Sequence, residues 1–279
     1  MKELLKGILK RLKIYHPLQL FYRTQLLAGK TIYYRIAYSK YKGSGFTCNC
    51  CNAQYSKFVP EYPEKPVERA INDNNVIAGY GEHVYCPRCF SKNRERLIIA
   101  LLEHRIDISS TSILHFSPEK YLNRYLRKKA FVTTVDIEPG FYTNIDPKIT
   151  FSDATNLAFA DESFDMVIAN HILEHIPDDS KAMKELWRVT KTGGSAILQV
   201  PYSETLATTL EDSHINDPAK QEALFGQRDH VRIYEMNNYI HRLTKAGFTV
   251  EVLRPEALKE FEMYAIQPRE SVFLCKKQA

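Results

Sequence analysis

The fold is decided by residues 164–200, which read FDMVIANHILEHIPDDSKAMKELWRVTKTGGSAILQV. An apolar run at 164–169 is typical of a buried strand. Apolar residues then recur at helical spacing over 180–189, and a second apolar run follows at 194–200. Alternation of this kind predicts a mostly parallel sheet that helices cover on both faces.

The same alternation extends on both sides of this stretch. Helical patterns cover 96–104, where Ser91 is a plausible N-cap, and 236–246. The further apolar runs that predict strands lie at 112–116, 131–136, 149–151, 248–253 and 272–275. Together with the two central runs they predict an α/β domain with a seven-stranded sheet over residues 93–279.

Length and composition exclude several classes of protein. The chain has 279 residues, of which 44% are hydrophobic and 25% charged, so it is neither disordered nor fibrous. No apolar run approaches the ~20 residues that cross a bilayer. Lysines interrupt the first residues, where a signal peptide needs an unbroken apolar region. We therefore expect a cytoplasmic protein.

Charge is concentrated at the N-terminus. Residues 1–42 hold ten lysines and arginines against the single acid Glu3, a net charge of +9. The whole chain carries +5, so the remainder carries about −4. Apolar residues at helical spacing predict a basic amphipathic helix that ends at Pro17, and a second helix over 18–42. This arm fits the inner face of an anionic membrane; alternatively, it packs on the protein's own body or on a second subunit.

Residues 43–92 read as a small irregular module that holds five of the six cysteines. Cys48-Asn49-Cys50-Cys51 and Cys86-Pro87-Arg88-Cys89 are two knuckles, and such a pair can offer four thiolates to a structural zinc ion. The predicted ligands are Cys48, Cys51, Cys86 and Cys89. This leaves Cys50 over, although His83 could replace a thiol. Reduced cysteines without a metal are the alternative. We expect the sixth cysteine, Cys275, to lie in the core.

Acidic residues follow two of the predicted strands. In an open α/β sheet, ligands bind beyond the carboxyl ends of the strands. Asp136 ends the second strand, where a carboxylate can accept hydrogen bonds from both ribose hydroxyls. Asp153 follows the third strand and could accept from an exocyclic amine such as that of adenine. The sequence therefore predicts a site for a nucleotide-like ligand.

The chain resembles the class I S-adenosylmethionine-dependent methyltransferases, of the type 11-like group, over residues 93–279. The similar stretches are DATNLAFADESFD at 153–165, IANHILEH at 168–175, LWRV at 186–189, KTGG at 191–194 and LQVP at 198–201. Some bacterial members are also similar in their Cys-Pro-x-Cys module and in DHVRIY at 229–234. The resemblance implies a Rossmann-like sheet and S-adenosylmethionine as cofactor. It implies cofactor contacts at Phe116, Ser117, Asp136, Ile137, Asp153, Ala154, Asn170 and His171.

The first loop departs from the family pattern. Members usually carry a glycine-rich turn there, whereas this chain reads LHFSPEKY at 114–121 without a glycine. Ser117 and backbone amides can still approach the methionine carboxylate. However, Pro118 lacks an N–H, and Glu119 would repel that carboxylate.

Methyl transfer to oxygen or nitrogen often needs a base, and the candidates are His171, His230 and Tyr234. The last two follow a polar insertion at 203–228, where a substrate lid is expected; alternatively, they anchor a loop by hydrogen bonds. The pattern H-x-x-E-H at 171–175 also matches inverted zinc peptidases. Its position directly after a strand, inside the methyltransferase-like stretch, disfavours a peptidase.

These observations predict a methyltransferase that acts on a hydroxyl or amine of a small-molecule or glycan-type acceptor. An RNA methyltransferase, whose zinc module and arm grip phosphates, is the second hypothesis. The acidic body makes a nucleic-acid partner less favoured. A non-catalytic zinc-ribbon adaptor that has lost the cofactor is the third, and the missing glycines suggest it.

Overall fold

The computed structural model describes residues 14–212 and 214–278. The α-helices are α1 Tyr15–Ala37, α2 Val67–Asp73, α3 Asn93–His104, α4 Lys120–Leu126, α5 Asp179–Val189, α6 Pro218–Phe225 and α7 Met236–Lys245, and a 3-10 helix covers Pro255–Tyr264. The strands are β1 Lys42–Cys48, β2 Ala53–Tyr55, β3 Val59–Glu61, β4 Gly81–Tyr85, β5 Ser112–Phe116, β6 Phe131–Asp136, β7 Thr150–Phe151, β8 Phe164–Asn170, β9 Thr190–Gln199, β10 Tyr202–Ser203, β11 Leu210–Glu211, β12 Arg232–Glu235, β13 Thr249–Leu253 and β14 Val272–Lys276.

The main sheet has seven strands in the order β13-β14-β9-β8-β5-β6-β7. Neighbouring strands from β9 to β7 run parallel, and β14 is antiparallel to both of its neighbours. The predicted α/β fold is therefore confirmed. The chain adds β6 and β7 on one side of β5 and then crosses to β8 on the other. Strand order thus reverses between β5 and β8, and this is where such sheets bind ligands.

Residues of the central strands alternate between two cores, one on each face of the sheet. Leu114, Val167 and Leu198 face one core with α5 and α7, whereas Ile113, Ile168 and Ile197 face the other with α3 and α4. This period of two explains why the strands read as continuous apolar runs, since both faces of the sheet are buried. Cys275 is fully buried in the last strand, as expected.

Two local predictions differ from the structure. Ser91 does not cap α3, because the N-cap is Lys92, whose backbone N–H donates to Glu95. Ser91 is fully buried instead, with its Oγ 3.3 Å from the Sγ atoms of Cys48 and Cys89. Pro17 lies inside the first turn of α1, where a missing N–H leaves no bond unmade.

The cysteine-containing module contains two antiparallel strand pairs, β1 with β2 and β3 with β4, and helix α2 lies between β3 and β4 in the chain. Arg96 of α3 connects it to the sheet domain and is fully buried. Its guanidinium donates to the carbonyls of His83 and Val84 in the module, and to those of Tyr264 and Ala265 near the C-terminus. A buried charge with this many acceptors fixes the orientation of the two parts.

One face of helix α1 packs against the body of the protein. The ring of His16 packs on Phe141, where a Cβ at Gly140 would come within 2.6 Å of it. Farther along the helix, the ring of Tyr34 stacks on Phe90. The opposite face is exposed and apolar, with Leu18, Phe21, Tyr22, Ile32, Tyr33 and Ile36. The predicted helix over residues 1–13 lies outside the described residues. Among those that are described, no helix combines the length and apolarity that crossing a membrane requires.

Candidate active site and metal centres

A cavity of about 1110 Å³ opens at the carboxyl ends of β5, β6 and β8, where the strand order reverses. All eight residues predicted to contact the cofactor line it, and so does His230. Tyr234 does not line it. Arg23 and Leu27 of α1 border the same cavity, so the arm forms part of its wall.

Asp136 ends β6 with its carboxylate held by two donors. The hydroxyl of Ser117 donates to Oδ2 at 2.5 Å, and the backbone N–H of Glu138 donates to Oδ1 at 2.6 Å. Ser117 has a φ of 41°, a left-handed conformation that is uncommon for serine. It turns the chain sharply between β5 and α4. A carboxylate has about four acceptor positions, so Asp136 can still accept from a diol.

Asp153 stabilises its own turn. Its Oδ1 accepts from the backbone N–H of Thr155 at 2.8 Å and from the hydroxyl of the same residue at 2.9 Å. This side chain-to-backbone turn places Ala154 at the cavity wall. The side chains of Asp136 and Asp153 are therefore carried by neighbouring strand ends on one wall of the cavity.

Charged side chains surround the glycine-free loop. Glu119 accepts from His115 at 3.2 Å and from the amide of Asn170 at 3.3 Å. The Nε of Arg94 is buried, and its distance of 3.6 Å to Glu119 Oε1 is longer than a hydrogen bond. It has no hydrogen-bond partner among the described residues. Burial raises the pKa of Glu119, but His115 and Arg94 outweigh burial and lower it overall. Glu119 is thus an anion paired with Arg94, whose Nε lacks a hydrogen-bond partner within residues 14–212 and 214–278.

Three histidines surround the carboxylate of Glu174, which is fully buried. The Nδ1 of His171 lies 3.5 Å from Glu174 Oε1, and the Nε2 of His230 lies 3.9 Å from it. Burial alone would raise the pKa of Glu174, but the contact with His171 and the charges of the histidines lower it to about 2. Burial lowers the pKa of His230, whereas Asp229 and Glu174 more than offset burial at His175 and raise its pKa. His171 has a φ of 55°, so the backbone is strained at this strand end.

The DHVRIY segment attaches to the loop after β8. Arg232 donates to the carbonyls of Leu173 at 3.0 Å and Pro177 at 2.8 Å, and the N–H of Val231 donates to the carbonyl of Glu174. The hydroxyl of Tyr234 is fully buried and donates to Asp179 at 2.7 Å. Arg232 and Tyr234 therefore anchor the loop. Of the two candidate bases in this segment, His230 lines the cavity and Tyr234 does not.

The four cysteines predicted to bind zinc lie together, with their Sγ atoms within 4.8 Å of one another. Cys48 and Cys89 are 3.7 Å apart, and Cys51 and Cys86 are 3.8 Å apart. A tetrahedron with Zn–S bonds of about 2.3 Å has S···S edges of about 3.8 Å, so the cluster has the dimensions of a zinc site. The Nδ1 of His83 accepts from the N–H of Phe58, and His83 is not part of the cluster.

Two residues of the site had weak signals in the sequence. Arg94 lies more than twenty positions before the first loop, and nothing in the local pattern relates it to Glu119. Glu174 belongs to the H-x-x-E-H pattern, which is typical of metal-binding sites and so indicated that this residue has a functional role. The peptidase interpretation required His171 and His175 on one helix face, whereas His171 precedes a single 3-10 turn at Leu173–His175.

Part of the chain is similar in sequence to known methyltransferases. Residues 117–198 match the family model of a methyltransferase domain. A malonyl-[acyl-carrier protein] O-methyltransferase of Halorhodospira halophila is 30% identical over 157 residues, covering 53% of this chain and 49% of the relative. A demethylmenaquinone methyltransferase of Streptomyces avermitilis is 42% identical over 50 residues, covering 18% and 22%.

Among solved structures, an S-adenosylmethionine-dependent methyltransferase from Mesorhizobium loti has a TM-score of 0.46 and 14% identity, covering 64% of this chain and 96% of that one. The chain spans about half or less of the length of the curated relatives it matches. The matched segment contains β8 and nearly all of β9, the strands at the centre of the sheet. Over residues 117–198 the chain is therefore similar to a methyltransferase domain.

Proposed function

We propose that the protein transfers a methyl group from S-adenosylmethionine to a hydroxyl or amine of a small-molecule or glycan-type acceptor. The main support is that one cavity, at the point of strand reversal, contains both sets of functional groups. Asp136 and Asp153, after β6 and β7, line it together with the histidine cluster after β8. One end of the cavity suits a nucleoside and the other suits proton transfer.

The residues present fit the cofactor. Asp136 would accept from the ribose hydroxyls, and Asp153 from the adenine amine. The amino-acid end carries one ammonium and one carboxylate, which match Glu119 and the unsatisfied Nε of Arg94. When bound, the cofactor supplies an electrophilic methyl group on a sulfonium. The charge pair thus takes over the role that a glycine-rich turn plays through its backbone amides.

We propose His171 as the residue that accepts the acceptor's proton. His171 follows Asn170 at the end of β8 and lines the cavity. Its Nδ1 lies 3.5 Å from the carboxylate of Glu174. A carboxylate beside a histidine stabilises the imidazolium that forms when the base takes a proton. Tyr234 is less suited, because burial and Asp179 raise its pKa well above 10.

The relatives' names include a malonyl-carrier-protein and a demethylmenaquinone methyltransferase, so the matched domain occurs with dissimilar acceptors. We propose a small-molecule or glycan-type acceptor because the body carries about −4, which repels a phosphate backbone. We further propose that α1 lies at an anionic membrane surface through its exposed apolar face.

Calorimetric titration with S-adenosylhomocysteine tests the function. We expect saturable binding, and we expect Asp136→Ala to weaken it by about 1.5–3 kcal/mol, the range for hydrogen bonds to a charged group. Asp73→Ala, an exposed acid at the end of α2, is the matched control and should bind normally. No binding by the wild-type protein would favour the adaptor hypothesis. Unchanged binding by Asp136→Ala would place the ribose elsewhere.

A further inference from the structure

A second group of metal-ligating side chains lies on the wall of the same cavity. Glu174, His175 and His230 each offer one ligand atom, and these atoms lie within 4.8 Å of one another. Two histidines and one carboxylate form a set that binds divalent first-row transition ions and leaves coordination positions open. The cysteine cluster, in contrast, is a closed set of four thiols.

The carboxylate of Glu174 lacks the partners that its burial requires. The residue is fully buried, and neither Oε1 nor Oε2 has a hydrogen-bond partner among the described residues. Its nearest contacts, at 3.5 and 3.9 Å, are longer than hydrogen bonds. Burying a carboxylate without hydrogen bonds costs on the order of several kcal/mol unless a cation balances its charge. Protonated histidines supply that balance at low pH, and a metal ion would supply it where the histidines are neutral.

Both histidines are oriented as metal ligands usually are. The Nδ1 of His230 lies 3.2 Å from the carbonyl of Phe225, and the Nδ1 of His175 lies 3.4 Å from the carboxylate of Asp229. These oxygens can only accept, so each Nδ1 carries the proton and each Nε2 keeps its lone pair. Metal-bound histidines typically donate their second N–H to a carboxylate or a backbone carbonyl in this way.

The three ligands are also held in place by the backbone. The N–H of Val231 donates to the carbonyl of Glu174, and Arg232 joins the same two segments. A zinc ion with bonds of about 2.0–2.2 Å needs donors roughly 3.4 Å apart. The 3.9 Å between His230 Nε2 and Glu174 Oε1 would therefore close by about half an ångström on binding, and no two of the three ligand atoms are more than 4.8 Å apart.

We propose that Glu174, His175 and His230 bind one divalent first-row transition ion, such as Mn²⁺, Fe²⁺ or Zn²⁺, whose open position faces the cavity. An acceptor oxygen or a water molecule would complete its coordination. The site lies on the histidine side of the cavity, away from Asp136 and Asp153. The ion binds whether or not the methyl transfer proposed above takes place.

Metal content of the full chain tests the site. After equilibrium dialysis against ZnCl₂ and removal of free ion, we expect wild-type protein to hold one more zinc equivalent than Glu174→Gln or His230→Gln. His241→Gln, an exposed histidine on α7, is the matched control and should hold as much as wild type. Cys86→Ala should lose only the equivalent of the cysteine cluster, so the two sites are distinguished.

A thermal melt with Mn²⁺ gives a second readout, because this ion prefers oxygen and nitrogen ligands to thiolates. We expect Mn²⁺ to raise the melting temperature of the wild type and of His241→Gln, but not that of Glu174→Gln or His230→Gln. Equal zinc content in wild type and both variants would overturn the proposal and leave the three residues as a loop anchor. If one variant fails to fold, the other decides.

Discussion

Arg94 and Glu119 form a charge pair whose two members do not satisfy each other. Their closest atoms are 3.6 Å apart, and Asn170, which donates to Glu119, also has a buried amide oxygen with no partner in the part of the chain that the structure describes. A ligand that carries both signs of charge would offer an acceptor to the Nε of Arg94 and a donor to the amide oxygen of Asn170, and its cation would pair with Glu119. The amino-acid end of the proposed cofactor has this property, whereas its nucleoside end does not.

We predict that Arg94→Gln distinguishes the two ends of the ligand. Its binding to S-adenosylhomocysteine should weaken by about 1.5–3 kcal/mol, because a charged hydrogen bond to the carboxylate is lost. Its binding to methylthioadenosine, which lacks the amino acid, should stay close to that of the wild type. Calorimetry with both ligands measures the difference.

Arg124→Gln is the control for this prediction, since Arg124 is an exposed arginine on α4 that does not line the cavity. It should bind both ligands normally. An equal loss for the two ligands in Arg94→Gln would mean that Arg94 supports the cavity as a whole. In that case the carboxylate is bound by other groups.

At the scale of elements, the cysteine module and α3 depend on each other. The side chain of Asn49, in the first knuckle, donates to the carbonyl of Arg96 at 2.9 Å, and Tyr121 donates to the carbonyl of Cys89. A change in the cysteine cluster will therefore reach α3 and the first loop of the site. The module also contributes directly to the cavity wall, for example through Glu61, Tyr80 and Phe90.

We predict that Cys86→Ala abolishes zinc binding by the cluster and lowers the melting temperature, because metal binding contributes folding energy in such modules. Cys50→Ser is the matched control, since Cys50 lies outside the four-cysteine cluster. It should keep its zinc, as measured by elemental analysis of purified protein. Full zinc content in Cys86→Ala, or none in the wild type, would contradict the assignment.

The elements were easier to predict from the sequence than the site. Strands such as β5 and β6 were placed to the residue, because each is a short run rich in apolar and β-branched or aromatic residues. The site instead depends on contacts between distant positions. Arg94 meets Glu119, and Glu174 meets His230, through packing that no local pattern records. Asp136 and Asp153 were predictable because each lies at the end of its own predicted strand, or just beyond it.

For the molecule as a whole, basic charge and exposed apolar side chains are both concentrated in the N-terminal segment. The segment 1–42 carries +9 while the rest carries about −4. Helix α1 turns its polar contacts toward the body, where Arg35 donates to the carbonyl of Arg88, and leaves its apolar residues outside. Phe21 is 65% exposed and Ile36 is 70% exposed. A contiguous apolar face beside basic residues is typical of helices that lie in the headgroup region of an anionic membrane.

We predict that the protein pellets with vesicles that contain phosphatidylglycerol and not with vesicles of phosphatidylcholine alone. Each lysine or arginine near an anionic surface contributes about 1 kcal/mol, so raised salt should release the protein. The double variant Phe21→Glu with Ile36→Glu should lose most of its binding, because two carboxylates then face the headgroups. Co-sedimentation at low and high salt measures this.

The matched control places the same two charges on exposed apolar residues outside the arm, with Phe131→Glu and Met263→Glu. This control should pellet like the wild type, since the exposed face of α1 is intact. Equal pelleting of all three proteins would exclude that face as the contact. If the face instead covers a second copy of the chain, the wild type will sediment as a dimer without lipid and the arm variant as a monomer.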